Sequence, residues 1–306
     1  MINKKYDLTA SIVLFHNDAA EVKNVIECFL GSSLNVRMYL VDNSTDESLK
    51  VLASDQRVEY IFAGDNLGYG AGHNVAMAKS LSNSPYHIVL NPDIAFEPEI
   101  LIKAIHYMDR HLDVGLLSPA ITFPSGAPQQ MCRQLPTPFD LIARRFLPGF
   151  IKPLFKKKLN AYIISDLDYT KSHNIPNLPG SFMFLRSSAI QDVGAFDEKF
   201  FMYLEDVDLT RRINAKYKTI FYPKINITHS LAQGSYKNPK LLVYHIESAL
   251  YYFNKWGWYS DKDRKAINNL LAKSQPLDSE GTELIQIEYI KPVPIESFGK
   301  VKKEHV

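Results

Sequence analysis

The segment TASIVLF, residues 9–15, is a short apolar run rich in residues that favour strands, and it begins the pattern that decides the fold. A helical spacing of apolar residues follows it, and a second strand pattern, VRMYLV, covers 36–41. The alternation continues with strand patterns at 58–62 and 87–90 and helix patterns at 18–30, 46–53, 71–81 and 97–110. This order predicts a mostly parallel sheet with helices on its faces.

Polar residues follow every one of these predicted strands. They are His16-Asn17-Asp18 after the first, Asp42-Asn43-Ser44 after the second, GDNLGYGAGHN (64–74) after the third and Asn91-Pro92-Asp93 after the fourth. Ligands of such sheets bind beyond the carboxyl ends of the strands. The sequence therefore predicts a ligand site at this edge.

The bulk composition excludes several classes of protein. The chain has 306 residues, 46% hydrophobic and 22% charged, which is typical of a globular protein of one large or two small domains. A net charge of +2 does not indicate nucleic acid as a partner. Cys28 and Cys132 have no metal-site spacing, which favours a reducing cytoplasm. We see no signal peptide and no apolar run long enough to span a membrane, so we expect any membrane contact at the surface.

Two of the polar loops have an ordinary structural explanation beside the functional one. Asp42 suits an Asx turn or a helix cap, or a contact with a nucleotide base or ribose. The glycines of GYGAGHN suit a turn, or a close approach of a nucleotide to the backbone. No glycine follows the first strand until Gly31, which argues against a nicotinamide or flavin enzyme.

The fourth loop and a distant histidine suggest a metal. Asp93 suits a strand-ending turn, but a lone carboxylate can also hold Mg²⁺ or Mn²⁺ when diphosphate oxygens and waters complete the shell. His229, in NITHS, is a possible second ligand because imidazole suits Mn²⁺. Taken alone, His229 is better explained as a structural histidine.

The stretch FMYLEDVDL, residues 201–209, concentrates three carboxylates beside apolar residues. Asp206 or Asp208 suits a cap for the following helix, and Arg211 or Arg212 suits an ion pair with the rest. That interpretation explains one acid well and three poorly. The alternative is a general base with a supporting neighbour.

The remainder of the chain shows fewer patterns. Strands are predicted at 181–185 and 219–222, and helices at 209–217, 239–256 and 261–273. The alternation of ELIQIEYI (283–290) suits a strand whose place we do not predict. The basic stretch RRFLPGFIKPLFKKK, residues 144–158, interleaves cations with large apolar residues. It suits either a solvated face or a segment that lies on anionic lipid.

Six segments together resemble the family 2 glycosyltransferases, which bind nucleotide sugars with a Rossmann-like GT-A fold. In chain order they are ASIVLFHN, LVDNSTD, DNLGYGAGHN, VLNPD, PGSFMFLRSSAIQDVGAFDEKFFMYLEDVDLTRRI and ITHS, within residues 8–230. Each is weak alone, but six in family order are specific. LNPD, EDVDL and QLPTPFDLIARRF look most like the bacterial rhamnosyltransferase-type branch, which builds O-antigen and other surface polysaccharides.

The resemblance implies a role for each matching residue. Asp42 would contact the nucleoside, Asp93 and His229 would hold the Mg²⁺ or Mn²⁺, and Asp206 would be the general base beside Glu205. The implied nucleotide-sugar residues are Phe15, Asn17, Asp42, Asn43, Asn66, Gly68, Asn91 and Asp93, and those on the acceptor side are Gly180, Ser181, Asp208 and Arg211. Many members have two acids in the metal motif. This chain has Asn91 and Asp93, which predicts weaker metal binding.

We therefore expect an inverting transfer of a hexose or deoxyhexose from a UDP- or dTDP-sugar to a glycan acceptor on a polyprenyl diphosphate carrier. We expect a cytoplasmic enzyme, peripheral at the inner face of the membrane, with 144–158 on the lipid. The alternatives are a non-catalytic sugar-nucleotide-binding protein and a nucleotidyltransferase. The expected division is a GT-A domain at 1–235 (nucleotide half 1–120, acceptor half 121–235), C-terminal helices at 236–275 and a tail at 276–306.

Overall fold

A computed structural model describes residues 5–141, 150–230, 239–271 and 276–277. Within these ranges, nine strands form one sheet. Their bounds are β1 Leu8–Leu14, β2 Val36–Asp42, β3 Val58–Phe62, β4 Tyr86–Leu90, β5 Ile94–Ala95, β6 Val114–Thr122, β7 His173–Asn174, β8 Phe182–Arg186 and β9 Lys218–His229. The order across the sheet is β3-β2-β1-β4-β8-β6-β9-β5, with β7 paired to β9.

The directions of the strands agree with the predicted mostly parallel sheet. Strands β1 to β4 are parallel to their neighbours among these four, and β6 is parallel to β9. Strand β8 is antiparallel to both β4 and β6, so that it inserts between two parallel groups. Strands β5 and β7 are antiparallel to β9. The carboxyl ends of β1 to β4 therefore meet the amino end of β8.

Helices cover the sheet and extend beyond it. Their bounds are α1 Ala19–Leu30, α2 Tyr69–Ser80, α3 Glu99–Arg110, α4 Lys156–Tyr162, α5 Ser187–Val193, α6 Glu205–Asn214, α7 Pro239–Trp256 and α8 Lys262–Leu271. Two short 3-10 helices lie at Ser48–Leu52 and Lys152–Phe155. Among the described residues, no helix combines the length and apolar character needed to cross a bilayer.

The sheet is buried on both faces, which explains why its strands read as continuous apolar runs. In β8, Phe182 and Phe184 join the core on one face, while Met183 and Leu185 join the core on the other. Each face of a strand takes alternate residues, so a strand buried on both sides has no polar alternation.

Several predicted elements differ from those observed. The helix predicted at 209–217 begins four residues earlier, at Glu205, so the acids form its first turn. The strand predicted at 219–222 is longer, and His229 is its last residue. Strand β6 was not predicted because its segment contains Gly115 and Pro119. Proline disfavours a strand interior, and here the pairing with β9 is irregular just after it. The strand predicted at 283–290 lies outside the described residues.

Candidate active site

A strained turn leads into the first turn of α6. Tyr203 and Leu204, which precede Glu205, both have positive φ, at 72° and 64°. This left-handed conformation costs a residue other than glycine about 1–2 kcal/mol. Leu204 is the N-cap residue and makes no side-chain cap bond. Neither Asp206 nor Asp208 is therefore the N-cap residue, because both lie inside the helix.

The Asp206 carboxylate is held by two backbone N–H groups. Its Oδ2 accepts from the Gly180 N–H at 2.9 Å, and its Oδ1 accepts from the Val207 N–H at 2.8 Å. A Cβ at residue 180 would lie 3.1 Å from the Asp206 Cβ, so glycine allows this close contact. Gly180 thus positions the carboxylate that the sequence singled out as a base.

Glu205 and Asp206 differ in the support that their charges receive. Burial, and then the Asp206 charge, raise the pKa of Glu205 well above its ordinary value. Glu205 Oε2 is buried without a hydrogen-bond partner among the described residues. Burial also raises the pKa of Asp206, but the N–H groups of Val207 and Gly180 oppose that rise. A protonated Glu205 beside an ionised Asp206 is the arrangement that these environments favour.

Tyr69, the first residue of α2, lies at the centre of the site. Its hydroxyl is 2.8 Å from the Gly180 carbonyl oxygen and 3.0 Å from Asn91 Oδ1. Burial raises the pKa of Tyr69 well above its ordinary value, and three carboxylate charges raise it further, those of Glu205, Asp206 and Asp93. The hydroxyl therefore stays protonated and acts as a donor. The same interactions show that Asp93 and the two α6 acids, Glu205 and Asp206, all lie near the Tyr69 hydroxyl.

Asp93 and His229 are adjacent, as the metal hypothesis requires. Asp93 Oδ1 lies 3.3 Å from His229 Nε2, and the neighbouring residue Ile94 pairs with His229 across β5 and β9. Burial raises the pKa of Asp93, but hydrogen bonds with His229 and Asn91 and the His229 charge outweigh it. The pKa of Asp93 consequently lies below its ordinary value, which favours an ionised ligand.

The closeness of Asp93 and His229 and the chemistry of their side chains fit a divalent cation. Asp93 Oδ1 and His229 Nε2 lie 3.3 Å apart, close enough for both to contact one cation. Carboxylate and imidazole together suit Mn²⁺. Within the described part of the chain there is no group of three or more side chains able to ligate a metal. The remaining ligands would be diphosphate oxygens and water.

The predicted nucleoside side is held by bonds within the protein. Asp42 is fully buried, and its carboxylate accepts from the Tyr60 hydroxyl at 2.7 Å and from the Ser44 N–H at 2.9 Å. The bond to Ser44 is the Asx turn of the structural alternative. Asn43 Nδ2 donates to the Gly68 carbonyl oxygen at 3.1 Å. A contact of Asp42 or Asn43 with a nucleoside stays a prediction.

The need for glycine at residue 68 comes from the protein itself. Gly68 has a φ of +85°, and a Cβ there would lie 2.2 Å from the Phe201 carbonyl oxygen. That contact joins the start of α2 to the loop before α6. Asn66 Oδ1 accepts from the Gly68 N–H at 3.1 Å and so fixes the same turn. Binding of a nucleotide by Asn66 and Gly68 stays a prediction.

An exposed aromatic ring follows β1. Phe15 is 50% exposed, and its N–H donates to Asn17 Oδ1 at 2.7 Å. His16, between them, has a positive φ of 51°. An exposed ring at a strand end suits stacking on a nucleobase.

Ser181, at the start of the predicted acceptor wall, accepts the Asn91 N–H through its carbonyl oxygen at 2.9 Å.

A cleft of about 500 Å³ opens beside Asp206. Its lining residues are Phe123, Pro128, Gln129, Gln130, Met131, Arg133, Tyr162, Asn177, Pro179, Asp206 and Val207. Amides, an aromatic ring and a carboxylate are the groups that bind sugar hydroxyls and sugar faces. The cleft is therefore a candidate acceptor site, with the Asp206 carboxylate in its wall.

Asp208 and Arg211, predicted on the acceptor side, instead contact the C-terminal helices. The buried Asp208 carboxylate accepts from three side chains, those of Arg212, Lys255 and Trp256, each at 2.8 Å. Arg211 makes a bidentate ion pair with Asp261 at 2.7 Å on both arms. The pairing of Arg212 with one of the acids is thus confirmed. These bonds hold α6 against α7 and the residue that precedes α8.

The Arg211–Asp261 pair is expected to contribute strongly to stability. Asp261→Asn keeps a side-chain oxygen for the Arg264 N–H of α8 but leaves the buried Arg211 charge uncompensated. We expect a loss of about 3–5 kcal/mol in the free energy of unfolding. Asp55→Asn, in the exposed pair with Arg57, is the matched control and should cost less than about 1 kcal/mol. Equal losses in urea denaturation would contradict this assignment.

Sequence reasoning missed Tyr69, Tyr60 and Asp261. Tyr69 had a usable signal, since a large ring between the glycines of GYGAGHN needs a place at the helix start. Tyr60 lies within a strand pattern, and only the pairing of β3 with β2 brings it to Asp42. Asp261 is 50 residues from Arg211, so no local pattern joins them.

Comparison with known proteins defines the class. The family model described as "Glycosyl transferase family 2" matches residues 11–194. The chain belongs to this family and is a glycosyltransferase. Membership confirms the resemblance stated from the sequence and supports the glycosyltransferase over the two alternatives, a non-catalytic binding protein and a nucleotidyltransferase.

Among curated relatives is the N-acetylglucosaminyl-diphospho-decaprenol L-rhamnosyltransferase of Mycobacterium tuberculosis (strain CDC 1551 / Oshkosh). It is 26% identical over 260 residues, 79% of this chain and 83% of that protein. Rhamnosyltransferase WbbL of Escherichia coli (strain K12) is 23% identical over 270 residues, 85% of this chain and 97% of that protein. The chain is thus similar to rhamnosyltransferases over most of its length.

The solved structure of GalNAc-T7 with UDP, GalNAc and Mn²⁺ has the same fold at 14% identity, with a TM-score of 0.60. The match covers 84% of this chain and 51% of that one, so this chain spans about half the length of that structure. The expected GT-A architecture is confirmed at this level.

Proposed function

We propose that the chain transfers a rhamnose-like deoxyhexose, or a hexose, from a dTDP- or UDP-sugar to a lipid-linked glycan acceptor in surface polysaccharide synthesis. The names of the two rhamnosyltransferase relatives favour this donor class, and the diphospho-decaprenol in one of them favours a lipid-linked acceptor. The observation that carries the proposal is the Asp206 carboxylate, held by the Gly180 N–H and facing the cleft.

The transfer needs a proton acceptor on the acceptor side. In the proposed reaction, Asp206 takes the proton of an acceptor hydroxyl as that oxygen bonds to the anomeric carbon. The bond from the anomeric carbon to the nucleoside diphosphate breaks on the opposite face, so the configuration inverts. General base catalysis of this kind contributes about 10²–10⁴-fold. The raised pKa of Asp206 makes it a stronger base than an ordinary aspartate.

The departing diphosphate needs positive charge beside it. We infer that Asp93 and His229 hold Mg²⁺ or Mn²⁺ next to the donor diphosphate, where the cation supplies Lewis-acid stabilisation of the leaving group. Asn91 takes the place of a second acid, so the site carries less negative charge than in many relatives. We therefore expect Mn²⁺ to bind more weakly than it would at a site with two acids.

The described part of the basic stretch leads from an exposed apolar surface to the cleft. Phe150 and Leu154 are 82% and 81% exposed. Helix α4 begins with Lys156, Lys157 and Lys158 and ends at Tyr162, which lines the cleft. We infer that this surface lies on anionic lipid and brings the cleft to a carrier-linked acceptor. Residues 144–149 of the stretch lie outside the described residues.

A donor screen tests the proposed substrate class. Calorimetry with dTDP-rhamnose, UDP-glucose, UDP-N-acetylglucosamine and GDP-mannose, each with Mn²⁺ and with EDTA, measures both specificity and metal dependence. We expect dTDP-rhamnose to bind most tightly and each affinity to fall in EDTA. Preference for GDP-mannose would overturn the proposed donor class.

Vesicle binding tests the proposed membrane surface. Lys156→Gln combined with Lys157→Gln removes two exposed charges, while Lys158 is kept because its Nζ lies 3.8 Å from the Phe139 ring centroid. Each basic residue near an anionic surface contributes about 1 kcal/mol. We expect roughly 30-fold weaker partitioning onto phosphatidylglycerol vesicles, with a smaller loss in high salt.

The matched control for the membrane test is the pair Lys23→Gln and Lys103→Gln, which removes the same charge from α1 and α3. It should leave vesicle partitioning within about threefold of wild type, since the surface potential acts within a Debye length. Equal losses in the two double variants, or a wild type that does not bind, would contradict a specific surface at α4.

A further inference from the structure

The hydroxyl of Tyr69 contacts both the donor side and the acceptor side of the site. One contact is the carbonyl oxygen of Gly180, at 2.8 Å, and Gly180 donates its own N–H to Asp206. The other is Asn91 Oδ1, at 3.0 Å. Each partner is one bond away from a residue with a proposed chemical role.

The Asn91 side chain is oriented by these contacts. With its oxygen facing the Tyr69 hydroxyl, the amide nitrogen is left free to donate, and the Asn91 side chain helps to lower the pKa of Asp93, two residues further along the chain. Asn91 therefore does not offer its oxygen to a cation beside Asp93. It supports the charge and orientation of Asp93.

We propose that Tyr69 is a positioning residue that links the donor and acceptor halves through the chain Asp93–Asn91–Tyr69–Gly180–Asp206. The inference rests on the proposed function and adds a role for two residues, Tyr69 and Asn91. The single hydroxyl proton of Tyr69 is shared between two acceptors, Asn91 Oδ1 and the Gly180 carbonyl oxygen. Its removal leaves both acceptors without this donor and so loosens the metal-side acid and the base together.

The ring of Tyr69 has a separate packing role that a test must preserve. It packs edge-on against His73, with ring centroids 4.6 Å apart, and against Phe196 at 6.2 Å. Tyr69→Phe keeps both contacts and removes only the hydroxyl. Tyr86→Phe is the matched control. Tyr86 is the first residue of β4, its hydroxyl donates to Asp109 of α3, and it lies at the opposite end of that strand from Asn91.

Binding measures the donor half of the link. We expect Tyr69→Phe to weaken the affinity for UDP or dTDP in Mn²⁺ by about tenfold, the value of one hydrogen bond, and to leave the affinity in EDTA within about twofold. With Asn91→Ala already present, Tyr69→Phe should cause no further loss, because its effect passes through Asn91. Losses that multiply in the double variant would overturn the link.

Hydrogen exchange measures the acceptor half without nucleotide or metal. We expect the amides of 177–183 to exchange at least about threefold faster in Tyr69→Phe than in wild type or Tyr86→Phe. This readout separates the two ideas, since a wild type that binds no nucleotide refutes the proposed function and leaves the exchange test intact. Unchanged exchange at 177–183 would overturn the role of Tyr69.

Discussion

Asp206→Asn is expected to lower the turnover of sugar transfer by at least about 100-fold. The amide oxygen of asparagine can still accept from the Gly180 N–H, and only the bond from the Val207 N–H is lost, so the contact between Gly180 and α6 should remain. An amide cannot take the proton of an acceptor hydroxyl, however. Donor affinity should stay within about threefold of wild type, because asparagine has nearly the size of aspartate and the Asp93–His229 pair is unchanged.

The control for Asp206→Asn is Asp55→Asn, at the amino end of β3 and therefore at the opposite edge of the sheet. Turnover of that variant should equal wild type. Thermal unfolding of Asp206→Asn should occur at the wild-type temperature or above it. Folding raises the pKa of Asp206, so ionisation of this carboxyl opposes folding once the pH rises above the pKa of the unfolded chain. The asparagine does not ionise and avoids this loss. An Asp206→Asn enzyme with most of its turnover would move the base elsewhere.

Asp93→Ala is expected to weaken donor binding in Mn²⁺ by about 100-fold, since even outer-shell partners of a metal ligand contribute 10–100-fold to affinity. In EDTA the wild type and the variant should bind the donor equally, because Asp93 then has no cation to hold. The Asn91 side chain helps to lower the pKa of Asp93, so Asn91→Ala should reproduce a smaller part of the loss.

Asp113→Ala is the control for the metal test. Asp113 pairs with Lys218 at the start of β6 and β9, at the other edge of the sheet. Its removal should leave the Mn²⁺-dependent affinity unchanged. A wild type and an Asp93→Ala variant with equal affinity in Mn²⁺ would rule out Asp93 as a metal ligand.

Elements with strong local patterns could be predicted from the sequence. Strand β3 is observed with the predicted bounds, and β1, β2 and β4 differ by a residue or two, because buried parallel strands leave an uninterrupted apolar run. The 18–30 helix begins after Asp18, whose carboxylate accepts the Ala20 N–H. Periodicity and capping act within a few residues, so a single sequence shows them.

Features that depend on distant parts of the chain could not be predicted. Strand β6 has an irregular pairing at Pro119, and its neighbours in the sheet, β8 and β9, lie more than 50 residues further along the chain. The assignment of Arg211 to the acceptor side came from a motif position. Its buried partner Asp261 shows that it faces the other way. Asp206 and Asp208 are two residues apart in EDVDL, yet they lie on different faces of α6: Asp206 lines the cleft and Asp208 contacts α7. The sequence alone did not separate these two roles.

The anomeric configuration of the product tests single-displacement transfer with Asp206 as base most directly. NMR of the glycoside formed by the wild-type enzyme from its nucleotide-sugar donor compares the anomeric centre before and after transfer. Attack opposite the leaving diphosphate predicts an inverted configuration, formed by the wild type and lost in Asp206→Asn. A product that retains the configuration of the donor would contradict it.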